Sequence, residues 1–336
     1  MKATARSPDS RERRPIVLIT NPVAGRRLTA FLHGQLPELL RGMGYLPQVY
    51  PTDAPGHATS LARQLAPAAG VILVVGGDGT VSDVARGLAH TGCPLGVIPA
   101  GTANILAREL GIPLDPSRAV SALLAGEVRE MDLFRVNGRL GATLVSAGLD
   151  ARITRWMARS RRGHIGYLSY LEGMRREFER YPRQPVELEV DGRLLGTFYQ
   201  VVITNARFYG GLFRLAPEAC LDDGCLEVFG FAGAGRYRAY KHFAALLLGC
   251  HRRLSDISHR RGASIKVRAG DQVPYQVDGD FVASGSFVVE VVPLALRVIV
   301  PRPLTSWPRS GRKCAPWSRR DTCGSVQGNI PWGSSP

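Results

Sequence analysis

Short apolar runs alternate with longer segments of helical periodicity between residues 15 and 126. The runs predict strands over residues 16–20, 46–50, 71–75 and 95–98. The segments between and after them predict helices over residues 28–43, 57–66, 80–90, 102–110 and 116–125. Continuously apolar strands that alternate with helices are typical of a parallel sheet covered on both faces. We therefore predict an α/β domain over residues 15–127, built as a doubly wound parallel sheet.

From about residue 128 the pattern changes to strand-like stretches separated by hairpin signals. Asn137-Gly138 and Asp191-Gly192 are dipeptides that favour two-residue turns between antiparallel strands. Strands are predicted over residues 186–190, 199–204, 226–231, 264–267, 275–277, 286–292 and 296–300, and helices over 150–180 and 236–249. The sequence thus predicts an antiparallel β-sandwich domain over residues 128–301 with helical insertions. Its last strands, near residues 294–301, could pack back on the first domain.

The distribution of charge indicates two disordered tails, and the net charge indicates anionic partners. The chain has 43 Lys and Arg against 28 Asp and Glu, a net charge of +15. Residues 1–14 and 302–336 are basic and lack apolar periodicity, so we predict that both are disordered. A basic protein suits nucleotides, phospholipid surfaces or nucleic acid, and charge alone does not choose among them. Because no apolar run is long enough to span a bilayer and no secretory signal is evident, we expect a cytoplasmic protein.

The candidate chemistry begins at Gly76-Gly77-Asp78-Gly79-Thr80, between a predicted buried strand and a helix. Glycines there let backbone N–H groups approach a polyphosphate at the helix start. Because a carboxylate repels phosphate, Asp78 would act through a cation such as Mg²⁺. Taken alone, the motif also fits a tight turn whose Asp caps the helix.

Two other predicted strands end in similar loops. The first strand is followed by residues 21–25 (Asn-Pro-Val-Ala-Gly) and the fourth by residues 99–104 (Pro-Ala-Gly-Thr-Ala-Asn). The carboxyl ends of strands in an open α/β sheet are where ligands bind. Three loops of this composition therefore predict one crevice for an anionic ligand.

These motifs resemble those of the diacylglycerol kinase catalytic-domain family, which includes bacterial diacylglycerol and other lipid kinases and the sphingosine kinases. The resemblance continues at residues 208–217, at 219–227 with its Asp-Asp-Gly, and at 276–280 (Gln-Val-Asp-Gly-Asp), and it spans about residues 15–301. The Gly-Gly-Asp-Gly motif also occurs in NAD kinases and phosphofructokinases. The Asp-Asp-Gly and Asp-Gly-acid segments distinguish this family from those, although each also fits an ordinary turn.

The resemblance implies an NAD kinase/diacylglycerol kinase-like fold and ATP-dependent phosphorylation of the hydroxyl of diacylglycerol or a related lipid alcohol. ATP, the phosphoryl donor, would lie between the two domains. Carried over residue by residue, its binding site would comprise Asn21, Pro22, Val23, Ala24, Gly25, Thr52, Gly76, Gly77, Gly79, Thr80, Asp83, Gly101 and Thr102.

The same resemblance implies which residues catalyse the reaction. Asp280, at the family's glutamate position, would accept the proton of the lipid hydroxyl. Asp278 beside it and Asp78 would complete the catalytic group. In one place the sequence departs from the family's pattern, because Asn104 is followed by Ile105 where many members have Asp.

Magnesium is implied at a second place. A structural Mg²⁺ would bind the Asp223 carboxylate and the backbone carbonyls of Cys220 and Cys225. Asp132 matches an acid in the family's network of aspartates, water and Mg²⁺.

A lipid kinase must also meet its substrate at a bilayer. Residues 151–170 hold five Arg and no acid among apolar and aromatic residues, and residues 236–261 are similarly basic. Such stretches suit an anionic membrane surface, and they equally fit ordinary helices with a solvated basic face. We expect peripheral contact with the inner face of the membrane and no nucleic-acid partner. The sequence does not set the oligomeric state, and a homodimer is compatible with it.

Two alternatives remain open at this point. One is a small-metabolite kinase of the NAD kinase type. The other is a non-catalytic nucleotide-binding or nucleic-acid-binding protein, which the sequence pI of about 10.1 suggests.

Overall fold

The fold is that of a computed structural model. It describes residues 15–22, 34–159, 167–179, 184–211 and 213–302 of the 336-residue chain. The predicted disordered tails, except for Arg302, lie outside these ranges, as does the start of the helix predicted over 28–43.

The first half consists of parallel strands and the helices that connect them. In chain order its elements are β1 (Ile16–Thr20), α1 (Leu36–Gly42), β2 (Gln48–Pro51), α2 (His57–Leu65), β3 (Val71–Gly76), α3 (Asp78–Leu88), β4 (Leu95–Pro99), α4 (Ile105–Glu109) and α5 (Pro116–Leu124). The strands lie in the order β2-β1-β3-β4, and each neighbouring pair is parallel. Every residue of β1 and β4 is buried, as expected for parallel strands covered on both faces.

The second half is mainly antiparallel. Its elements are β5 (Glu127–Val136), β6 (Arg139–Gly141), β7 (Leu144–Ala147), α6 (Leu149–Arg159), α7 (Tyr167–Glu179), β8 (Val186–Val190), β9 (Arg193–Phe198), β10 (Gln200–Thr204), β11 (Phe208–Tyr209), β12 (Phe213–Arg214), β13 (Leu226–Phe231), α8 (Arg236–Leu247), β14 (Ile257–Gly262), β15 (Ser264–Ala269), β16 (Pro274–Val277), β17 (Asp280–Ser284) and β18 (Phe287–Val300). A short 3₁₀ helix, His251–Arg253, follows α8.

Three dipeptide turns connect consecutive strands of this half. Asn137-Gly138 joins β5 to β6, Asp191-Gly192 joins β8 to β9, and Asp278-Gly279 joins β16 to β17. Both residues of each turn have positive φ. This backbone matches the right-handed twist of the strands, and Asn-Gly and Asp-Gly adopt it most readily.

The last strand belongs to both halves. β18 pairs antiparallel with β15 and β5, and its Val298 pairs parallel with Leu95 of β4. The parallel strands therefore continue into a ten-stranded sheet, in the order β2-β1-β3-β4-β18-β15-β8-β9 with β5 and β6 attached. Because one strand serves both halves, the boundary at residues 127 and 128 stays a prediction.

A second sheet completes the sandwich. It has six strands, all antiparallel, in the order β14-β13-β10-β7-β16-β17. Val145 and Ile203 of this sheet share one buried cluster with Leu188 and Val267 of the larger sheet. The predicted fold class, an α/β half followed by an antiparallel β-sandwich, is confirmed.

The helical insertions of the second half flank the six-stranded sheet. The helix predicted over residues 150–180 comprises α6 and α7, and residues 160–166 between them are outside the described ranges. α6 contacts α7 and also β16 and β17, while α7 contacts α8. Among the described residues, no helix combines the length and the apolar character needed to cross a membrane.

Candidate active site

The carboxyl ends of the parallel strands meet at one edge of the large sheet. Thr20, at the end of β1, is the register partner of Val75 in β3 and of Pro51 in β2. Gly76, the last residue of β3, is the register partner of Pro99 in β4. The loops predicted to bind the nucleotide therefore start side by side.

Hydrogen bonds hold the first of these loops against the next helix. The Asn21 side-chain amide donates to the Thr80 hydroxyl at 2.9 Å. The Thr52 N–H donates to the Thr20 carbonyl at 2.8 Å, which fixes the start of the loop after β2. Pro22 follows Asn21, whereas Val23, Ala24 and Gly25 lie outside the described residues. Asn21, Thr52 and Thr80 are thus brought to one place.

Two glycines make a direct contact between loops. A Cβ at Gly101 would lie 2.5 Å from the Gly77 Cα, and a Cβ at Gly77 would lie 3.2 Å from the Gly101 Cα. The Asn104 side chain fixes this loop, since it accepts from the Gly101 N–H and donates to the Gly101 carbonyl, both at 2.9 Å. Loop-to-loop packing is therefore one reason for glycine at both positions, besides the predicted approach of phosphate. A Cβ at Gly79, by contrast, would meet no atom within 4 Å.

Asp78 connects the same two loops. Its carboxylate accepts the N–H groups of Asn104 at 2.9 Å and Ile105 at 2.5 Å. The pKa of Asp78 is raised overall, chiefly by burial and also by the nearby Asp278 carboxylate. The two N–H groups oppose this shift. Ile105, the departure from the family's pattern, packs with Leu144 in a buried cluster between the two halves. The predicted role of Asp78 toward Mg²⁺ stays a prediction.

Asp278 lies in the turn between β16 and β17, and its carboxylate is fully engaged. One oxygen accepts the Thr143 N–H, the Thr143 hydroxyl and the Leu144 N–H at 2.7–3.1 Å, and the other accepts the Ala142 N–H at 2.9 Å. Asp278 was predicted to be catalytic beside Asp280. Its hydrogen bonds hold the segment between β6 and β7 against the turn, and its predicted catalytic role stays a prediction.

Asp280, the first residue of β17, carries the solvent-accessible carboxylate of this turn. Its side chain is 45% exposed, and its nearest cation is Arg139 at 3.4 Å. The pKa of Asp280 is raised overall, chiefly by burial and also by the Asp83 and Asp278 carboxylates. The guanidinium groups of Arg139 and Arg86 oppose this shift. Asp83 and Arg86 are an ion pair on α3. Asp280 therefore lies near α3, the helix that begins with the Gly-rich motif, and Asp278 is close to both Asp280 and Asp78. We refer to the region between this turn and the strand-end loops as the cleft.

A buried polar network that the sequence did not reveal lies behind this turn. The Gln276 side-chain amide donates to the Ser146 hydroxyl at 2.9 Å and to the Asp150 carboxylate at 3.0 Å, and Ser146 donates to Asp150 at 2.5 Å. The Gln276 side-chain oxygen accepts the Gly279 N–H at 2.7 Å. Gln276 therefore fixes the turn that presents Asp280. The only sequence feature that could have indicated this role is the position of Gln276 in the Gln-Val-Asp-Gly-Asp segment.

A buried ion pair, also missed, joins α4 to the chain just before and at the start of β11. Arg207 donates to the Glu109 carboxylate and to the Glu109 carbonyl, both at 2.9 Å, and the Phe208 N–H donates to the same carboxylate at 2.7 Å. Burial raises the pKa of Glu109, while the Arg207 guanidinium lowers it. No local pattern marks either residue, because the two are 98 positions apart. This contact joins the end of α4 to the start of β11.

The predicted structural magnesium site has a different set of contacts. Asp132 accepts the Gly224 N–H at 2.7 Å and the Leu294 N–H at 2.8 Å. Asp223 accepts the Cys225 N–H at 3.0 Å, and its second oxygen contacts the Arg261 guanidinium. These acids and the Asp-Asp-Gly loop are close together, as predicted.

Within the described residues, the carboxylate that was predicted to bind Mg²⁺ is paired with a cationic side chain. Arg261 neutralises the carboxylate that a divalent ion would use, and it also pairs with Glu227 at 3.0 Å. Within the described ranges, no three His, Cys, Asp or Glu side chains are grouped as metal ligands. Asp223 thus forms an ion pair with Arg261, and the predicted metal site at Cys220, Asp223, Cys225 and Asp132 stays a prediction.

Replacing Arg261 with methionine should lower the free energy of unfolding by about 1–3 kcal/mol, because two buried carboxylates lose their cation. Arg260 is the exposed neighbour on β14, so Arg260→Met is the matched control and should change stability little. Thermal unfolding of both variants and of wild type, with Mg²⁺ and with EDTA, tests this. If EDTA lowers the melting temperature of the wild-type protein, a structural metal is present and the ion-pair assignment is wrong.

With the cleft described, comparison with known proteins identifies the family. Residues 15–136 match the family described as "Diacylglycerol kinase catalytic domain", and residues 143–300 match "YegS C-terminal NAD kinase beta sandwich-like domain". A diacylglycerol kinase of Mycobacterium tuberculosis is 30% identical over 297 residues, covering 85% of this chain and 95% of that protein. The chain belongs to the diacylglycerol kinase catalytic-domain family. The family prediction is confirmed.

Other members of the diacylglycerol kinase family agree with this. A diacylglycerol kinase of Bacillus subtilis is 30% identical over 279 residues, covering 81% of this chain and 92% of that protein. A crystal structure of a diacylglycerol kinase from Bacillus anthracis matches with a TM-score of 0.64 at 21% identity, covering 87% of this chain and 98% of that one. At that identity the crystal structure supports the fold alone.

Proposed function

We propose that the protein is an ATP-dependent lipid kinase that phosphorylates the hydroxyl of diacylglycerol or a related lipid alcohol. One observation carries the proposal: Asp280 faces α3 across the cleft where the loops of the parallel strands end. The names of the relatives, diacylglycerol kinases, support the substrate class.

The loops supply groups suited to a polyphosphate. Backbone N–H groups at the start of α3 and the side chains of Asn21 and Thr80 are neutral donors at the strand edge. The open space beside Gly79 is where a phosphate could approach that backbone. ATP would arrive as its magnesium complex, so the divalent ion belongs to the substrate and neutralises charge on the phosphates.

Asp280 would receive the proton in the reaction. The lipid hydroxyl oxygen forms a bond to the γ-phosphorus while the bond from that phosphorus to the β,γ-bridging oxygen breaks and ADP leaves. The hydroxyl proton passes to Asp280, which the Gln276-supported turn holds at the cleft. Arg86 and Arg139, both close to Asp280, would stabilise the negative charge that is redistributed in the transition state.

The test is to incubate the purified protein with magnesium ATP and vesicles that contain diacylglycerol, with NAD as the substrate of a parallel assay. We expect phosphatidic acid from the vesicles and no NADP. Phosphorylation of NAD alone would establish the small-metabolite alternative. ATP consumption unchanged by Asp280→Asn, together with strong salt-sensitive DNA binding, would establish a non-catalytic binding protein.

A further inference from the structure

One face of α8 exposes a continuous apolar stripe. Its members are Tyr237, Tyr240, Ala244, Leu247 and Leu248, which directly follows the helix, and we call this set the α8 face. Tyr237 is 81% exposed and Leu248 is 76% exposed. Spacings of three and four residues place all five side chains on one side of the helix. Large apolar side chains grouped in this way on a surface mark an interaction site.

Packing fixes the opposite face of the helix. Ala239, His242, Ala245 and Leu246 are buried. Phe243 makes an edge contact with Phe213 of β12, with ring centroids 5.7 Å apart. The helix cannot rotate to bury its apolar stripe without giving up these contacts.

The chain segment that carries the stripe is rich in basic residues and lacks acids. No Asp or Glu occurs between Glu227 and Asp256. Arg238 and Lys241 both pair with Asp256. Arg236 at the start of the helix and Arg253 after it are exposed, and neither has a carboxylate partner among the described residues. The segment that carries the α8 face is therefore positively charged, while on the neighbouring α7 Arg175 pairs with Glu172 and Glu179.

We propose that the α8 face docks on an anionic phospholipid bilayer, with Leu247 and Leu248 entering the acyl region and Arg236 and Arg253 contacting phosphate groups. This rests on the proposed function, in which the acceptor is a membrane lipid. Nucleic acid would satisfy the arginines alone, whereas adjacent exposed leucines require an apolar environment. Basic residues beside an exposed apolar helical stripe are the composition of interfacial helices.

Contacts relate this surface to the active site. The Phe178 ring of α7 meets the Tyr240 ring of α8 edge-on, with centroids 4.8 Å apart. α7 contacts α6, which contacts β17, the strand that carries Asp280. Phe213, the partner of Phe243, lies in residues 208–217, whose Gly211 contacts Ala103 in the loop before α4. A bilayer bound at α8 is thus connected through packed elements to both sides of the cleft.

The experiment measures cosedimentation of the full chain with vesicles of phosphatidylcholine alone and with an equal part of phosphatidylglycerol, without ATP or diacylglycerol. We expect binding only to the anionic vesicles, weakened about tenfold or more in the double variant Leu247→Ser/Leu248→Ser. Arg236→Gln and Arg253→Gln should each weaken it about fivefold. Leu46→Ser is the matched control, because Leu46 is 79% exposed in the first half, and it should bind like wild type.

Further readouts separate docking from catalysis. Phosphorylation of a short-chain diacylglycerol dispersed as monomers should be the same in the double variant and in wild type, while turnover on anionic vesicles falls. If the double variant binds vesicles like wild type, the proposal is overturned. It is also overturned if size-exclusion chromatography shows that the variant separates a dimer while vesicle binding is unchanged. If wild type phosphorylates no lipid yet its vesicle binding requires the leucines, the docking proposal stands and the proposed function fails.

Discussion

Replacing Asp280 with asparagine should lower kcat by about 10²–10⁴-fold on diacylglycerol vesicles, the usual contribution of a general base. The amide keeps the shape of the side chain and cannot accept the hydroxyl proton. Since the side chain is 45% exposed and its hydrogen bond from Arg139 is 3.4 Å long, we expect thermal unfolding to be unchanged. Steady-state kinetics with magnesium ATP, beside an unfolding curve, measures both quantities.

The pH profile distinguishes a base from a structural carboxylate. Asp280 must be deprotonated to act, so kcat/KM should fall as pH decreases through its pKa. Burial and the neighbouring carboxylates raise that pKa, which moves the acidic limb above that of an ordinary aspartate. Asp280→Glu, which introduces the family's own residue, should keep both the activity and the limb. A profile with the same limb in Asp280→Asn would assign the limb to another group and remove the argument for Asp280.

Much of the fold could be predicted because its signals are local. The apolar runs at 71–75 and 95–98 differ from the observed β3 and β4 by one residue each. The turns at Asn137-Gly138 and Asp191-Gly192 follow directly from dipeptide preference, since both residues need positive φ. Pairing between distant strands has no such signal. The parallel pair between Val298 and Leu95 joins residues from different halves of the chain and depends on the final packing.

In the candidate site, too, the features with a local sequence signal could be predicted and those without one could not. The Gly-rich motif and the Asp-Gly-Asp turn could be found because each is contiguous in sequence. Gln276 supports the turn through Ser146 and Asp150, and Arg261 compensates Asp223. These contacts join residues 38 to 130 positions apart, so only the folded chain shows them. The two acids of the turn also differ in their surroundings. Asp278 accepts four hydrogen bonds, whereas the Asp280 side chain is 45% exposed.

Replacing Gly101 with alanine should lower both stability and activity. The new Cβ would lie 2.5 Å from the Gly77 Cα and 3.0 Å from the Asn104 side-chain oxygen, so the two loops must separate. Strain of this kind costs about 1–3 kcal/mol of unfolding free energy. A shift of about 1 Å in the loop that carries Asp78 can reduce kcat about 10²-fold. Thermal unfolding and steady-state kinetics measure the two effects.

Gly79→Ala is the matched comparison, because its Cβ meets no atom within 4 Å and the position lies in α3. Alanine favours a helix over glycine, so stability should stay the same or rise by up to about 1 kcal/mol. If a phosphate of ATP occupies that open space, the KM for ATP should nevertheless rise. The two variants thus separate glycines required by loop packing from a glycine required by the ligand. Equal KM for ATP in Gly79→Ala and wild type would place the phosphates elsewhere, and an unchanged melting temperature in Gly101→Ala would contradict the packing argument.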